Sequence, residues 1–248
     1  MIFPHMKLEM FPQLDRNIPH VEEYILSYLQ PKDLAASMLV SKEWSQRAKP
    51  LLCKCYAYIQ RKNGNIPLQS AVIDGYEHLV AFFLQEKQIN VNEISKRTGM
   101  TALMEVACNG KDQIAKMLLG REDIRVNMHS FKNNSPYPAL HLAALYGHVG
   151  VVKLLVERSD IDVNSRGQYG STALILALRN GQEGAVEELL KCPKIDVNVG
   201  DKDGLTALSM AKHYLAHFNE MRPLEEKAQK IVEKLEKLIE ILEKRNAI

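Results

Sequence analysis

Two short markers recur along this chain at nearly the same interval, and that periodicity constrains the fold more than any other feature. Leucines that follow a turn stand at Leu68, Leu103, Leu140, Leu174 and Leu208, spaced 35, 37, 34 and 34. A Val-Asn pair stands at Val91-Asn92, Val126-Asn127, Val163-Asn164 and Val197-Asn198, spaced 35, 37 and 34. Both markers keep one register, so each unit repeats the same supersecondary structure. A unit of this size cannot bury its own apolar face. The units must stack, and the stack is the cooperative object.

The residues within each unit read as a pair of helices. Thr101, Thr172 and Thr206 suit helix starts, where a hydroxyl satisfies an orphan N–H. Ala71, Ala107, Ala143, Ala177 and Ala211 let paired helices approach closely, and Gly75, Gly110, Gly147 and Gly181 end the first helix of each pair. Phe83-Leu84, Leu118-Leu119, Leu154-Leu155 and Leu189-Leu190 bury the second helix. This pattern, with a period near 33, resembles the ankyrin repeat. The third copy, Ala139 to His148 followed by Val151 to Leu155, matches the family best.

The departures are specific. Gln69 stands in the first repeat where the family prefers His, which suggests a modified end repeat. Pro136 and Pro138 replace Gly and Thr in the third repeat, so its loop from His129 to Tyr137 is expected to protrude or bend. After the fifth repeat, apolar Leu224, Ala228, Ile231, Leu235, Leu238 and Leu242 alternate steps of four and three, widened by Val232 and Ile239. That spacing predicts one long helix over 223–248, begun by Pro223 and covering the last repeat. A coiled-coil dimer helix is the alternative, but the stripe is short for it.

In front of the array, residues 12–52 form a second module. Val21, Ile25 and Leu29 give one apolar stripe beside Tyr24 and Tyr28. Pro31 and Asp33 punctuate a turn, and Leu34, Met38, Val40, Trp44 and Ala48 add apolar surface. About 40 residues cannot make a full core, so a partner is expected. The pairs Ile18-Pro19 and Asp33-Leu34, the step Ile25 to Leu29 and the run Val40 to Trp44 resemble the F-box, which docks the adaptor Skp1 of cullin–RING ubiquitin ligases. Ser41 departs from the family's usual Cys. The resemblance implies a Skp1 surface at Ile18, Pro19, Ile25, Leu29, Leu34, Val40 and Trp44, with Trp44 serving either core or interface. Otherwise, Ile18 and Pro19 begin a helix and the rest packs on the first repeat.

Family likeness also implies a target face at turn tips and first helices. Its candidates are Arg97, Met100, Phe131, Tyr137, Tyr146, Gln168, Tyr169 and Arg179. Tyr and Arg are favoured hot-spot types, although few interface residues carry large energies. For any one of them, the alternative is an ordinary exposed side chain.

Composition narrows the function classes. With 32 Lys+Arg against 30 Asp+Glu in 248 residues, no charge excess argues for nucleic acid. No apolar run approaches the roughly 20 residues that span a membrane, and the N-terminus lacks a secretory block. Cys53, Cys55, Cys108 and Cys192 form no CxxC pair and read as reduced cytosolic thiols. His213 and His217 have zinc-pair spacing, but Tyr214 stands where a metalloprotease would carry Glu, and no third ligand is evident. No phosphate loop or embedded nucleophile appears.

The expected architecture is all-α: an extension over 1–11, an F-box domain over 12–52, a linker over 53–60, an ankyrin solenoid of about five repeats over 61–222, and a capping helix over 223–248. The resemblance implies a non-catalytic substrate receptor without a cofactor, monomeric within a complex of Skp1, cullin-1, a RING subunit and a protein target. It implies neither a nucleic-acid nor a membrane partner, and a cytoplasmic location. The arrangement also resembles secreted effectors of intracellular bacteria that exploit host ubiquitination, which would place it in host cytoplasm. An ankyrin scaffold or inhibitor with no ligase role is the alternative, and a hydrolase using Cys108 or the His213/His217 pair is a remote third.

Overall fold

A computed structural model describes residues 66–129, 137–220 and 226–246, together with Ala57 and Arg61. The chain divides into two units, Met1–Pro67 and Leu68–Ile248, and nearly all described residues belong to the second. The N-terminal extension, the F-box segment with Ile18, Pro19, Ile25, Leu29, Leu34, Val40 and Trp44, and most of the linker lie outside the described residues. So does the loop 130–136 with Phe131.

Among the described residues all regular structure is helical. The repeats form pairs: α1 (Pro67–Asp74) with α2 (Glu77–Gln85), α3 (Ala102–Asn109) with α4 (Asp112–Leu119), and α5 (Ala139–Tyr146) with α6 (Val149–Val156). Then follow α7 (Ala173–Arg179) with α8 (Glu183–Lys191), and α9 (Ala207–Glu220) with α10 (Glu226–Asn246). First helices α3, α5, α7 and α9 stack in one row, and α2, α4, α6 and α8 in another. The five period alanines, Ala71, Ala107, Ala143, Ala177 and Ala211, are fully buried, as their role in close helix approach requires.

Local chemistry starts and stops these helices. Thr101 and Thr172 Oγ1 accept from the N–H groups of Met104 and Ile175, each at 3.3 Å. Thr206 does the same for Ser209 at 3.2 Å. Pro138 has no such side chain, and α5 begins without a side-chain cap. It tolerates this because Ala139 to Ala144 are all buried, so packing rather than capping holds it. Gly110 and Gly147 end α3 and α5 in the left-handed conformation, at φ 65° and 73°.

Neighbouring repeats are fastened by side chains that bond the next repeat's backbone. Asn92 donates to the Asp123 carbonyl at 2.7 Å and accepts from the Arg125 N–H at 2.8 Å. Asn127 does so with Asp160 and Asp162 (2.7 and 2.9 Å), and Asn164 with Lys194 and Asp196 (both 2.8 Å). The valine beside each is buried. This explains why Val-Asn travels as a unit: Val fills the core while Asn stitches outward. A second set reaches back to the end of the preceding first helix. Lys111 Nζ donates to the Val72 and Ile73 carbonyls, His148 Nε2 meets the Cys108 carbonyl at 2.9 Å, and Gln182 donates to the Leu145 carbonyl. Each occupies orphan carbonyls at a helix C-terminus.

Gln69 takes over the work of the expected histidine. Its amide donates to the Glu93 and Met100 carbonyls at 2.7 and 2.9 Å. His141 makes the matching contact to the Ser171 carbonyl at 3.2 Å. At the other end, α10 packs on α9 and takes the place of the second helix. Leu242 is fully buried, Lys212 pairs with Glu243 at 2.7 Å, and Arg245 donates to the Cys192 carbonyl at 3.1 Å. The helix bounds lie inside the 223–248 expected from the stripe, and α9 runs 14 residues, longer than the other first helices.

Candidate protein-interaction face

Turns at 95–100, 165–171 and 200–205 connect the repeats, and the first two carry four of the eight expected target residues: Arg97, Met100, Gln168 and Tyr169. Arg97 is exposed, and Met100 and Gln168 are half-buried. Tyr169 is 60% and Tyr146 53% exposed, the two most exposed large hydrophobic residues described. Tyr146 lies at the end of α5, its ring tilted against His148 with centroids 6.3 Å apart.

Tyr169 sits in a conformation its side chain disfavours. Its φ is 57°, the one positive value outside glycine among the described residues. A left-handed backbone costs an ordinary residue roughly 1–2 kcal/mol. The local reason is a turn closed by the Gly170 N–H donating to the Gly167 carbonyl at 3.1 Å. That turn delivers the Tyr169 carbonyl to the Lys202 N–H of the next tip, at 2.9 Å. Lys202 Nζ then lies 5.9 Å from the Tyr169 ring centroid, within cation–π reach.

Beneath this exposed pair lies a supporting layer. Tyr137 stacks on His141, with centroids 5.9 Å apart and planes at 18°. Its ring also covers Gly167, where an added Cβ would fall 2.5 Å from Tyr137 Cδ1. Burial pushes the Tyr137 phenol above its ordinary value; the Arg179 charge opposes this and the nearby Tyr169 phenol adds to it. Arg179 is 40% exposed, but its guanidinium meets the buried carboxylate of Asp201 at 3.0 Å. Asp201 Oδ1 also accepts the Asp203 and Leu205 N–H groups, so Arg179 anchors the last tip as well as facing solvent. His141 is fully buried, with no hydrogen-bond partner at Nδ1. Burial holds its pKa down to about 4 against the opposing pull of the Ser171 and Ser165 backbone. His129 nearby lowers it and Asp162 raises it.

Burial and the Glu105 carboxylate push the Cys108 thiol up to about 11, so it stays protonated and poorly nucleophilic. Cys192 is buried. His213 is exposed and the His217 side chain lies outside the described residues; no group of three or more metal-ligating side chains occurs among those described. No described helix is long and apolar enough to cross a membrane.

A stack of helix pairs with stitched turns defines a repeat-built binding protein. An ankyrin-repeat family model matches residues 36–130 and 126–201, in three copies. The chain belongs to the ankyrin-repeat family, whose members bind other proteins. Among solved structures it resembles EF0377, an ankyrin repeat protein, at TM-score 0.56 and 25% identity, over 68% of this chain and 79% of that one. No curated protein matches it.

Proposed function

We propose that this chain is a substrate receptor of a Skp1–cullin–F-box ubiquitin ligase. Residues 12–52 dock Skp1, and the array holds a protein target through its turn tips and first helices. Transfer of ubiquitin is left to the RING subunit and its E2, and the contribution of this chain is proximity. The observation that carries the reading is the Ile18-to-Trp44 pattern placed directly before an array with exposed tyrosines. Likeness to secreted effectors of intracellular bacteria makes host cytoplasm its place of work in this reading. Domain limits at 12–52, 61–222 and 223–248 are part of the same proposal.

The family match reaches back to residue 36, so residues 36–52 fall to both the F-box pattern and the first repeats. That overlap is the ground for a second reading, an ankyrin scaffold or inhibitor whose N-terminal helices cap the array. Co-elution with purified Skp1 separates the two. Parent protein is expected to co-elute, and an Ile18→Ala/Pro19→Ala double variant with unchanged thermal unfolding is expected to lose the complex. A folded parent that elutes apart from Skp1 overturns the receptor reading and leaves the scaffold.

A further inference from the structure

The joint that fastens each repeat to the next stands open beyond α8. Lys111, His148 and Gln182 each close one joint by reaching back to a carbonyl at the end of the preceding first helix, at Ile73, Cys108 and Leu145. Register places the Arg179 carbonyl fourth in that series. We infer that this open joint is a docking site for an amphipathic helix of a partner protein, which lies along α8 as a further second helix. Its walls include no residue of the turns at 95–100, 165–171 and 200–205, and it stands independently of the Skp1 reading.

Three observations carry it. First, the closing side chain is missing. A Cβ added at Gly75, Gly110 or Gly147 would press on Lys111, His148 or Gln182, whereas at Gly181 nothing lies within 4 Å. The Arg179 carbonyl is met by the Tyr214 hydroxyl at 3.4 Å, beyond the usual reach of an O–H···O bond. Second, the row of second helices is interrupted. Each of α2, α4 and α6 lies against its successor, but α10 packs on α9 and makes no comparable contact with α8. Between α8 and α10 a cavity of about 830 Å³ opens beside Gly181, walled by Val186 and Leu190 on one side and by Leu238 and Ile241 on the other. It has room for roughly two helical turns. Ile241 is 46% exposed, while the adjoining Leu242 is fully buried against the array. Third, the closed joints specify the occupant. In each, the donor caps the start of a helix, and buried residues follow three, four and seven positions later. They are Ile114, Ala115 and Leu118 after Lys111, and Ala185, Val186 and Leu189 after Gln182, and the same spacing follows His148. A helix so patterned meets the Arg179 carbonyl with its first turn and the cavity walls with its apolar stripe. The partial negative charge at the end of α7 favours Lys or His as its donor.

A synthetic copy of residues 110–121 carries this pattern and serves as the probe, held helical by a lactam between Asp112 and Lys116, both exposed in the array. Fluorescence anisotropy against the full chain is expected to show saturable binding below ~1 mM. Leu118→Asp in the peptide, or Ile241→Glu in the full chain, should weaken it at least about tenfold. Ile241→Glu should unfold at the temperature of the parent because that side chain is exposed, and the peptide substitution leaves the chain untouched. Tyr169→Ala should bind the peptide as the parent does; a loss there would move the peptide to the turn tips and overturn the site. No binding by folded parent, or binding that survives Leu118→Asp or Ile241→Glu, also overturns it. An apolar dye held by the parent and released in Ile241→Glu, with the peptide unbound, overturns the helix as occupant and marks a small-molecule cavity instead.

Discussion

Acidification from pH 6.5 to 4 is expected to remove about 3 kcal/mol of stability through one side chain, His141. The folded protein keeps this imidazole neutral down to about pH 4, whereas an unfolded chain takes up the proton near 6.5. Across that window the unfolded state binds more protons, so stability rises with pH. The contribution is complete above 6.5 and lost as pH falls through the folded value. The cause is local: the ring is fully buried against Tyr137, and the Ser171 and Ser165 backbone offsets only part of that burial. Gln69 shows that an amide does the same structural work without titrating. His141→Gln should therefore flatten the pH dependence of the urea midpoint between 6.5 and 4 relative to the parent. Superimposable profiles for the two proteins would contradict this.

Gly110→Ala is expected to cost about 3 kcal/mol, the other large effect. Gly110 has φ 65°, where a Cβ is strained by roughly 1–2 kcal/mol. An added Cβ would also fall 2.3 Å from His148 Nδ1, and that ring cannot fold away as a flexible chain can. Displacing it forfeits the bond to the Cys108 carbonyl, worth about 1 kcal/mol net. At Gly181 nothing lies within 4 Å of an added Cβ, so Gly181→Ala should cost only the backbone strain. Thermal unfolding of the two variants side by side checks the difference; equal losses would show that the His148 contact carries no energy.

The array was legible because its determinants repeat. Period leucines, alanines and the Val-Asn pair are each tied to one packing or bonding role, so register alone exposes them. Other links were hidden because one role is filled by unlike residues. Lys111, His148 and Gln182 all reach back to helix-end carbonyls, yet share no residue type. Gln69 reads as a departure from the pattern, but its amide spans the same gap as an imidazole.

Residue type marks a candidate face, but type does not report stacking or pairing. Tyr137 and Tyr169 look alike in sequence. One lies half-buried on His141 as support, and the other stands 60% exposed. The partner of Arg179 is Asp201, 22 positions away, a pairing that only the stacked turns bring about. Left-handed backbone at Tyr169 carries no sequence signal, because the adjoining Gly170 already satisfies the expectation of a turn glycine.

Hydrogen exchange of the full chain with and without purified Skp1 tests the receptor reading most directly. New protection confined to 12–52, with the tips at 95–100, 165–171 and 200–205 unchanged and free for a target, is the predicted result. Protection appearing on those tips instead, or nowhere along the chain, would contradict it.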